Sequence, residues 1–405
     1  MFTCLICESK FKPFIDFGKM PIANDFNKNK SVDYEYKFDM SVGFCNSCKV
    51  VQLTNQPDRE LMFHENYAFY SSTSSYMDIH FQNFAKDIVR LQNLKDNSFV
   101  VEIGCNDGIM LKNFDKMNIP SIGIEPSKNV AKVAKERGLN VLDEFFTKKT
   151  ALDVVSKFGK CDAVLSANVI CHIPYIHQIF EGVKLILKND GVFVFEEPYL
   201  YDVIKKTSFD QIYDEHVFLF SILSIKKLAS MHGLDLFNAC EQNTHGGSMR
   251  YYLCHKNKKK ISSVINEFEK KEKNYGLDDE NTYLNFNKKI LKIKNDLIEL
   301  LVELKKQGKK VVAYGATSKS TTVTNYFGIT PNLVECIYDT TLIKHYTFSP
   351  GVKIPILPYE EFRKSNPDFV LLFAWNHFKE IQDKEKDFMY GDKKWILYIP
   401  EVKVI

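Results

Sequence analysis

Ser98-Phe-Val-Val-Glu102-Ile-Gly104-Cys-Asn106-Asp-Gly108, followed by the helical spacing of Ile109 to Met117 and by Ser121-Ile-Gly-Ile-Glu125, decides how the chain is read. Two short runs rich in Val and Ile enclose one helix-sized segment, which predicts strand, turn, helix and strand at the ligand end of an α/β domain. Glycines in such a turn let the backbone approach a ligand closely. A carboxylate ending the next strand is placed to take the two hydroxyls of a ribose. The turn is not G-x-G-x-x-G: Gly104 and Gly108 are separated by polar Asn106 and Asp107 and preceded by Glu102, with no Lys or Arg. Acceptors without cations suit a positively charged cofactor that carries no phosphate. The alternative is a purely structural turn, which the spacing of Glu125 disfavours.

S-adenosylmethionine is such a cofactor, and Glu102-Ile-Gly104-Cys-Asn106-Asp-Gly108 resembles the first motif of class I methyltransferases. Outward from it, strand and helix patterns alternate: Lys128 to Arg137 is a helix, and Leu139 to Leu142 a strand. Glu144-Phe145-Phe146 follows, with rings placed to lie against an adenine. Asp162 to Asn168 is the next strand and runs into Cys171-His172-Ile-Pro174; Gly191 to Pro198 is a fifth. This alternation predicts a mainly parallel sheet covered on both faces, with Asn168 and His172 arriving at the strand ends where ligands bind. Leu234 to Ala239 and Arg250 to His255 read as a closing antiparallel pair, joined by a loop through His245-Gly246-Gly247 that either touches ligand or is a plain hairpin connection. Upstream, Glu65-Asn66-Tyr67-Ala-Phe-Tyr70-Ser71-Ser72-Thr73-Ser74 is too rich in Ser for a core strand and is read as a lid over a small ligand, ahead of a helix from Met77 to Leu91.

Between the fifth strand and the helix Ser224 to His232 lies an insertion, Tyr199 to Phe220, holding Tyr213-Asp-Glu215-His216. A phenol, carboxylates and an imidazole within four positions supply a proton acceptor and groups to orient it; a solvated turn is the bland alternative. At the N-terminus Cys4-Leu-Ile-Cys7 and Cys45-Asn-Ser-Cys48 are two C-x-x-C knuckles, enough for one closed, structural tetrahedral zinc site. Asp16, Asp25, Asp33, Glu35 and Asp39 between them argue against a nucleic-acid-binding ribbon. Ile290, Ile293, Leu297, Leu300 and Leu304 mark a long amphipathic helix, whose stripe packs on a domain of this chain or on a second subunit. A third unit starts at Lys309. Tyr314-Gly-Ala-Thr-Ser318-Lys319 is a small-residue turn between strand and helix, fit for a diphosphate. Phe369 to His377 is a buried strand ending in polar groups that include Asn376.

The whole chain, 405 residues with 45% apolar and 26% charged residues, has room for two or three domains. Its 54 basic and 51 acidic residues leave a net charge of +3, too balanced to imply nucleic acid or a membrane surface as partner. No run reaches the length of a membrane span and Met-Phe-Thr-Cys is not a signal peptide, so the expected location is the cytoplasm. Monomer and homodimer remain open. The predicted boundaries are 1–60 for a zinc ribbon-like domain, 61–255 for a Rossmann-like cofactor domain, 256–308 for a helical linker and 309–405 for a second Rossmann-like domain.

A four-cysteine zinc domain, a class I methyltransferase core and a C-terminal Rossmann-like domain together resemble the sugar C-methyltransferase family, which methylates C3 of nucleotide-linked 4-keto-6-deoxy sugars. The resemblance rests on the four cysteines, Tyr67 with the Ser71-Ser72 turn, Glu102 to Gly108, Asn168 with His172-Ile-Pro174, Tyr213 to His216, and Trp375-Asn376. It implies His216 as general base with Tyr67, His172, Tyr213 and Glu215 around the sugar. Cofactor contacts would come from Glu102, Gly104, Asn106, Gly108, Glu125, Asn168 and Ser72. A small-molecule nucleotide sugar would lie against Ser318, Lys319, Asn376 and Tyr70, for glycan biosynthesis. Family members commonly have Gly where this chain has Ser320, and Gln-Gly where it has His345-Tyr346. The rival readings are an N- or O-methyltransferase of an amino sugar or sugar acid, a nicotinamide-dependent oxidoreductase using the Gly315 turn, and a nucleic-acid-binding zinc ribbon.

Overall fold

The structure, a computed structural model, describes residues 1–28, 35–65 and 67–405; Asp33 and Asn66, both quoted above, lie outside the described residues. Val100–Ile103 sits in the middle of a seven-stranded sheet. On one side it pairs in parallel with Ser121–Ile124, which pairs with Val141–Leu142. On the other come Cys161–Ala167 and Leu187–Pro198, also parallel, and then Ser248–His255 and Leu234–Gln242 as an antiparallel pair. Val100, Val101, Val164 and Leu165 have no exposed surface, as strands covered on both faces require. The carboxyl ends of the parallel strands therefore all open on one edge, and the glycine turn, Glu125 and Asn168 meet there.

The N-terminal domain is a four-stranded antiparallel sheet in which Pro13–Pro21, Lys37–Phe44 and Val51–Leu53 are neighbours. Its fourth strand, Phe218–Leu219, comes from the end of the Tyr199 to Phe220 insertion. Phe218 and Leu219 are buried, and Leu53 N–H donates to the Val217 carbonyl at 2.8 Å, so the pairing satisfies a strand edge that would otherwise be open. In the C-terminal domain Val311–Tyr314 has Ile337–Asp339 and Phe369–Leu372 as parallel neighbours, with antiparallel strands at both edges of a seven-stranded sheet.

The long helix runs over Glu280–Lys306 and is capped by Asp279, whose side chain accepts the Asn281 N–H. Its buried stripe passes through Ile290, Ile293, Leu297, Leu301 and Leu304; Leu300, expected in the stripe, is only half-buried. The helix packs within this chain. Tyr283 lies against Phe14 and Phe44 of the N-terminal sheet at ring separations of 5.1 and 4.4 Å, and Lys294 Nζ donates to the Tyr326 carbonyl of the C-terminal domain at 2.6 Å. One continuous apolar core thus runs through all three units. Among the described residues no helix is long and apolar enough to cross a membrane.

Candidate active site

The four N-terminal cysteines converge. Sγ atoms of Cys4 and Cys48 are 3.5 Å apart, those of Cys7 and Cys45 are 3.4 Å apart, and all four lie within 4.8 Å of one another. Thiolates about 2.3 Å from a tetrahedral zinc stand roughly 3.8 Å from each other, so the cluster fits the ion. Each knuckle is closed alike: Glu8 N–H returns to the Cys4 carbonyl and Lys49 N–H to the Cys45 carbonyl, with both residues in the left-handed region. None of the four lines the cavity described next, which leaves zinc a structural part.

A cavity of ≈ 630 Å³ lies between the two α/β domains and is walled by all three units. At its cofactor end Gly104 adopts φ +70°, and a Cβ there would collide with Val169, so only glycine keeps this backbone against the cavity. Glu125 accepts the Ser127 N–H through Oε1 at 2.8 Å and the Asn106 N–H through Oε2 at 3.0 Å, which leaves lone pairs on both oxygens for a ribose. Burial pushes its pKa up. Asn106 ties down the segment read as a lid, accepting from Ser71 N–H and donating to the Phe69 carbonyl. Phe145 and Phe146 line the same end, and Arg59 lies over the Phe145 ring at 4.1 Å and the Tyr175 ring at 4.9 Å. The cradle and its carboxylate fit S-adenosylmethionine.

Three residues assigned to the cofactor stand outside the cavity wall. Glu102 lies buried behind the turn, its pKa driven well up by burial and by Glu125, with one oxygen unpartnered. Gly108 packs where a Cβ would strike Leu139. Ser72 is held through its N–H and hydroxyl by Asp107, with Arg137 donating to its Oγ at 2.9 Å. These groups shape the turn and lid from behind.

The proton-handling groups do converge on the cavity. His216 Nδ1 is 2.6 Å from the Gln211 carbonyl, which can only accept, so Nδ1 carries the proton and Nε2 is the basic atom. Tyr213 O–H donates to that Nε2 at 2.8 Å. Burial holds His216 well below its usual pKa, helped by His172, and burial with the charge of Glu215 holds Tyr213 well above its own. His172 is stacked on His216 at 5.2 Å, is pushed down to about 3 by burial, and has an unpartnered Nε2. Cys171, His172 and His216 bring possible metal ligands within 4.8 Å of one another, but both ring nitrogens of His216 are already engaged, by the Gln211 carbonyl and by Tyr213 O–H. Glu215, expected to orient His216, does not touch it. The side chain faces the other way, accepting from Asn24 Nδ2 at 2.7 Å and Tyr67 O–H at 3.2 Å, and burial raises it to about 7. Asn168 Nδ2 meets His245 Nε2 at 3.2 Å, and the Tyr70 phenol oxygen accepts from Asn129 Nδ2 at 3.0 Å.

The C-terminal wall carries Lys319, Lys344 and Lys384 beside Asp339 and Glu380. The turn before the helix Ser318–Phe327 presents Gly315 to Lys319, with Lys319 Nζ 3.5 Å from Asn376 Oδ1 and 5.2 Å from the Trp375 ring. Burial lowers the pKa of Lys319 and of Lys344, a lysine 8% exposed that donates to the Ala316 carbonyl at 2.8 Å. The family departures turn out to face elsewhere. Ser320 Oγ donates to Thr317 O within its own helix, His345 bonds the Asp339 carbonyl, and Tyr346 O–H reaches Glu361; none of the three lines the cavity.

Asn24, Gln211 and Lys344 line the cavity and were missed as site residues in the sequence reading. Asn24 follows an N-terminal strand and joins Glu215 to Ser318, whose Oγ donates to Asn24 Oδ1 at 2.9 Å. No local pattern marks it. Lys344 did carry a signal, a lone cation five residues past the acidic end of a parallel strand, Ile337–Asp339.

Residues 4–63 match a family described as a zinc binding domain, 77–238 one described as a methyltransferase domain, and 243–400 one described as a C-methyltransferase C-terminal domain. The C-methyltransferase NovU of Streptomyces niveus is 29% identical over 409 residues, spanning 99% of this chain and 96% of NovU. Magnesium protoporphyrin IX methyltransferase of Synechocystis PCC 6803, solved with bound SAM, is 12% identical with a TM-score of 0.34, covering 44% of this chain and 79% of its own. A SAM-dependent methyltransferase of Anabaena variabilis is 13% identical with a TM-score of 0.36, covering 43% and 84%.

Proposed function

We propose that this chain, an S-adenosylmethionine-dependent C-methyltransferase, acts on a nucleotide-linked keto sugar, at C3 beside a 4-keto group. The observation that carries the reading is the Tyr213 to His216 pair, a donor and a base fixed 2.8 Å apart, facing the same cavity as Lys319 and the N-terminus of the helix Ser318–Phe327. A C–H next to a ketone needs both: a base to take the proton and a donor for the oxygen on which charge develops. Neutral His216 takes the proton at Nε2, and the Gln211 carbonyl then holds the imidazolium through Nδ1–H. The electron pair of the broken C–H bond moves onto the ketone oxygen. Tyr213 O–H, released from Nε2 as the proton arrives there, turns to that oxygen. Bound S-adenosylmethionine supplies the electrophilic methyl group, with Gly104, Asn106 and Glu125 holding it. Lys319, Lys344 and the helix N-terminus take the diphosphate, and the lid over Tyr67 to Ser74 excludes water.

The test is to incubate the protein with S-adenosylmethionine and a panel of nucleotide sugars, and to locate the methyl group by mass and NMR. His216→Asn should abolish methylation and the exchange of the sugar C3–H for deuterium, with S-adenosylmethionine affinity intact. Methyl found on nitrogen or oxygen, or near wild-type turnover by His216→Asn, overturns this reading.

A further inference from the structure

Phe209–Gln211 is one 3-10 turn inside the insertion, and its residues reach in different directions. Asp210 is wholly buried. Its Oδ2 accepts from Trp375 Nε1 at 2.6 Å and from Tyr398 O–H at 2.6 Å, both in the C-terminal domain, while Oδ1 has no partner. The next residue supplies the carbonyl that fixes His216 Nδ1, and the one after it, Ile212, accepts from Thr322 Oγ1 of the C-terminal domain at 2.8 Å. Gln211 Nε2 donates to the His245 carbonyl, and Gly246 beside it packs so closely on Trp375 that a Cβ would stand 2.6 Å from the ring. A neutral acceptor would join these elements with less desolvation; what a carboxylate adds is negative charge facing Lys319.

We propose that Asp210 is a positioning residue that ties the substrate wall of the C-terminal domain to the base, setting the His216 tautomer through the Gln211 carbonyl. The inference rests on His216 as the base. Trp375 adjoins Asn376 and lies beneath Lys319, so whatever seats the nucleotide end of the substrate bears on Asp210, and one peptide further on it bears on Nδ1 of His216. The two ends of the cavity are then held in register through Asp210, which itself lies outside the cavity wall.

The test uses the full chain labelled with ¹⁵N-histidine, in which long-range ¹H–¹⁵N spectra report tautomers and the His216 signals are identified by their loss in His216→Asn. Wild-type protein should show His216 protonated on Nδ1 alone. Asp210→Asn should show mixed tautomers and at least a tenfold fall in kcat/KM, carried mainly by kcat, with S-adenosylmethionine affinity unchanged. Should Asp210→Asn fail to fold, Trp375→Phe removes one donor and keeps the carboxylate; it should show the same changes in smaller degree. A folded variant of either kind that retains the wild-type tautomer and kcat overturns the proposal. The tautomer is read without turnover, so an active His216→Asn would instead indict the base assignment.

Discussion

Replacing Tyr213 with Phe sets two effects against each other, and their sizes decide the outcome. The hydroxyl donates to His216 Nε2 at 2.8 Å, so in the empty site the base is covered by its own partner. Removing it frees the lone pair, and a neutral hydrogen bond of about 1 kcal/mol net accelerates proton removal by up to about tenfold. In the proposed mechanism the same hydroxyl is the donor to the enolate oxygen, and loss of one such donor costs about 2.7 to 4 kcal/mol, or 10² to 10³ in kcat. The second effect wins. Tyr213→Phe should therefore lower kcat by one to two orders of magnitude, not abolish it, and should slow carbon-bound deuterium exchange to the same extent. The assay is single-turnover methylation at saturating cofactor, read by product mass, beside an exchange measurement by NMR. A Tyr213→Phe enzyme as fast as wild type would refute the reasoning, since the phenol would then be only a cover for the base.

Three other outcomes are expected. Glu125→Ala should weaken S-adenosylmethionine binding tenfold or more in calorimetry, because a charge-assisted hydrogen bond is worth about 1.5 to 3 kcal/mol; unchanged affinity in folded protein removes Glu125 from the ribose. Cys45→Ser should lose one zinc per chain by elemental analysis and loosen the N-terminal domain, since binding free energy in a closed thiolate site is also folding free energy. Glu215, raised from 4.5 to about 7, holds its proton in the folded state where the unfolded chain has released it. Its contribution is thus full below about pH 4.5 and is lost as pH rises through 7, up to roughly 3 kcal/mol at 1.36 kcal/mol per unit. Denaturant midpoints between pH 5 and 8 should fall less steeply in Glu215→Gln, and equal slopes would contradict the burial argument.

Much of the architecture could be read from the chain because its signals are local. Period and turn chemistry from Ser98 to Glu125, and two C-x-x-C knuckles, each describe a piece that folds on its own terms. Site residues within such pieces, Gly104, Asn106 and Glu125, arrive on the cavity as expected. Readings failed where the meaning of a residue depends on a distant partner. Glu215 sits beside His216 in sequence, yet adjacent side chains leave the backbone in different directions, and the group that holds the imidazole is a main-chain carbonyl five residues back. Asn24 enters the site only because the N-terminal sheet docks on both other domains. Ser320, His345 and Tyr346 stand where family members commonly carry other residues, but each directs its polar group to a neighbour of its own domain.

The strand Phe218–Leu219 has a consequence for how the molecule is made. On a ribosome adding about 5 to 20 residues per second, the cysteine knuckles and first three N-terminal strands emerge early, while the strand that covers Val51–Leu53 emerges only after most of the cofactor-binding sheet. For that interval a nascent chain carries an open strand edge flanked by Phe and Val side chains, the kind of surface that pairs with other chains. Zinc taken up early would hold the knuckles together during the wait, so metal starvation should show first as aggregation of newly made protein, before any loss from molecules already folded.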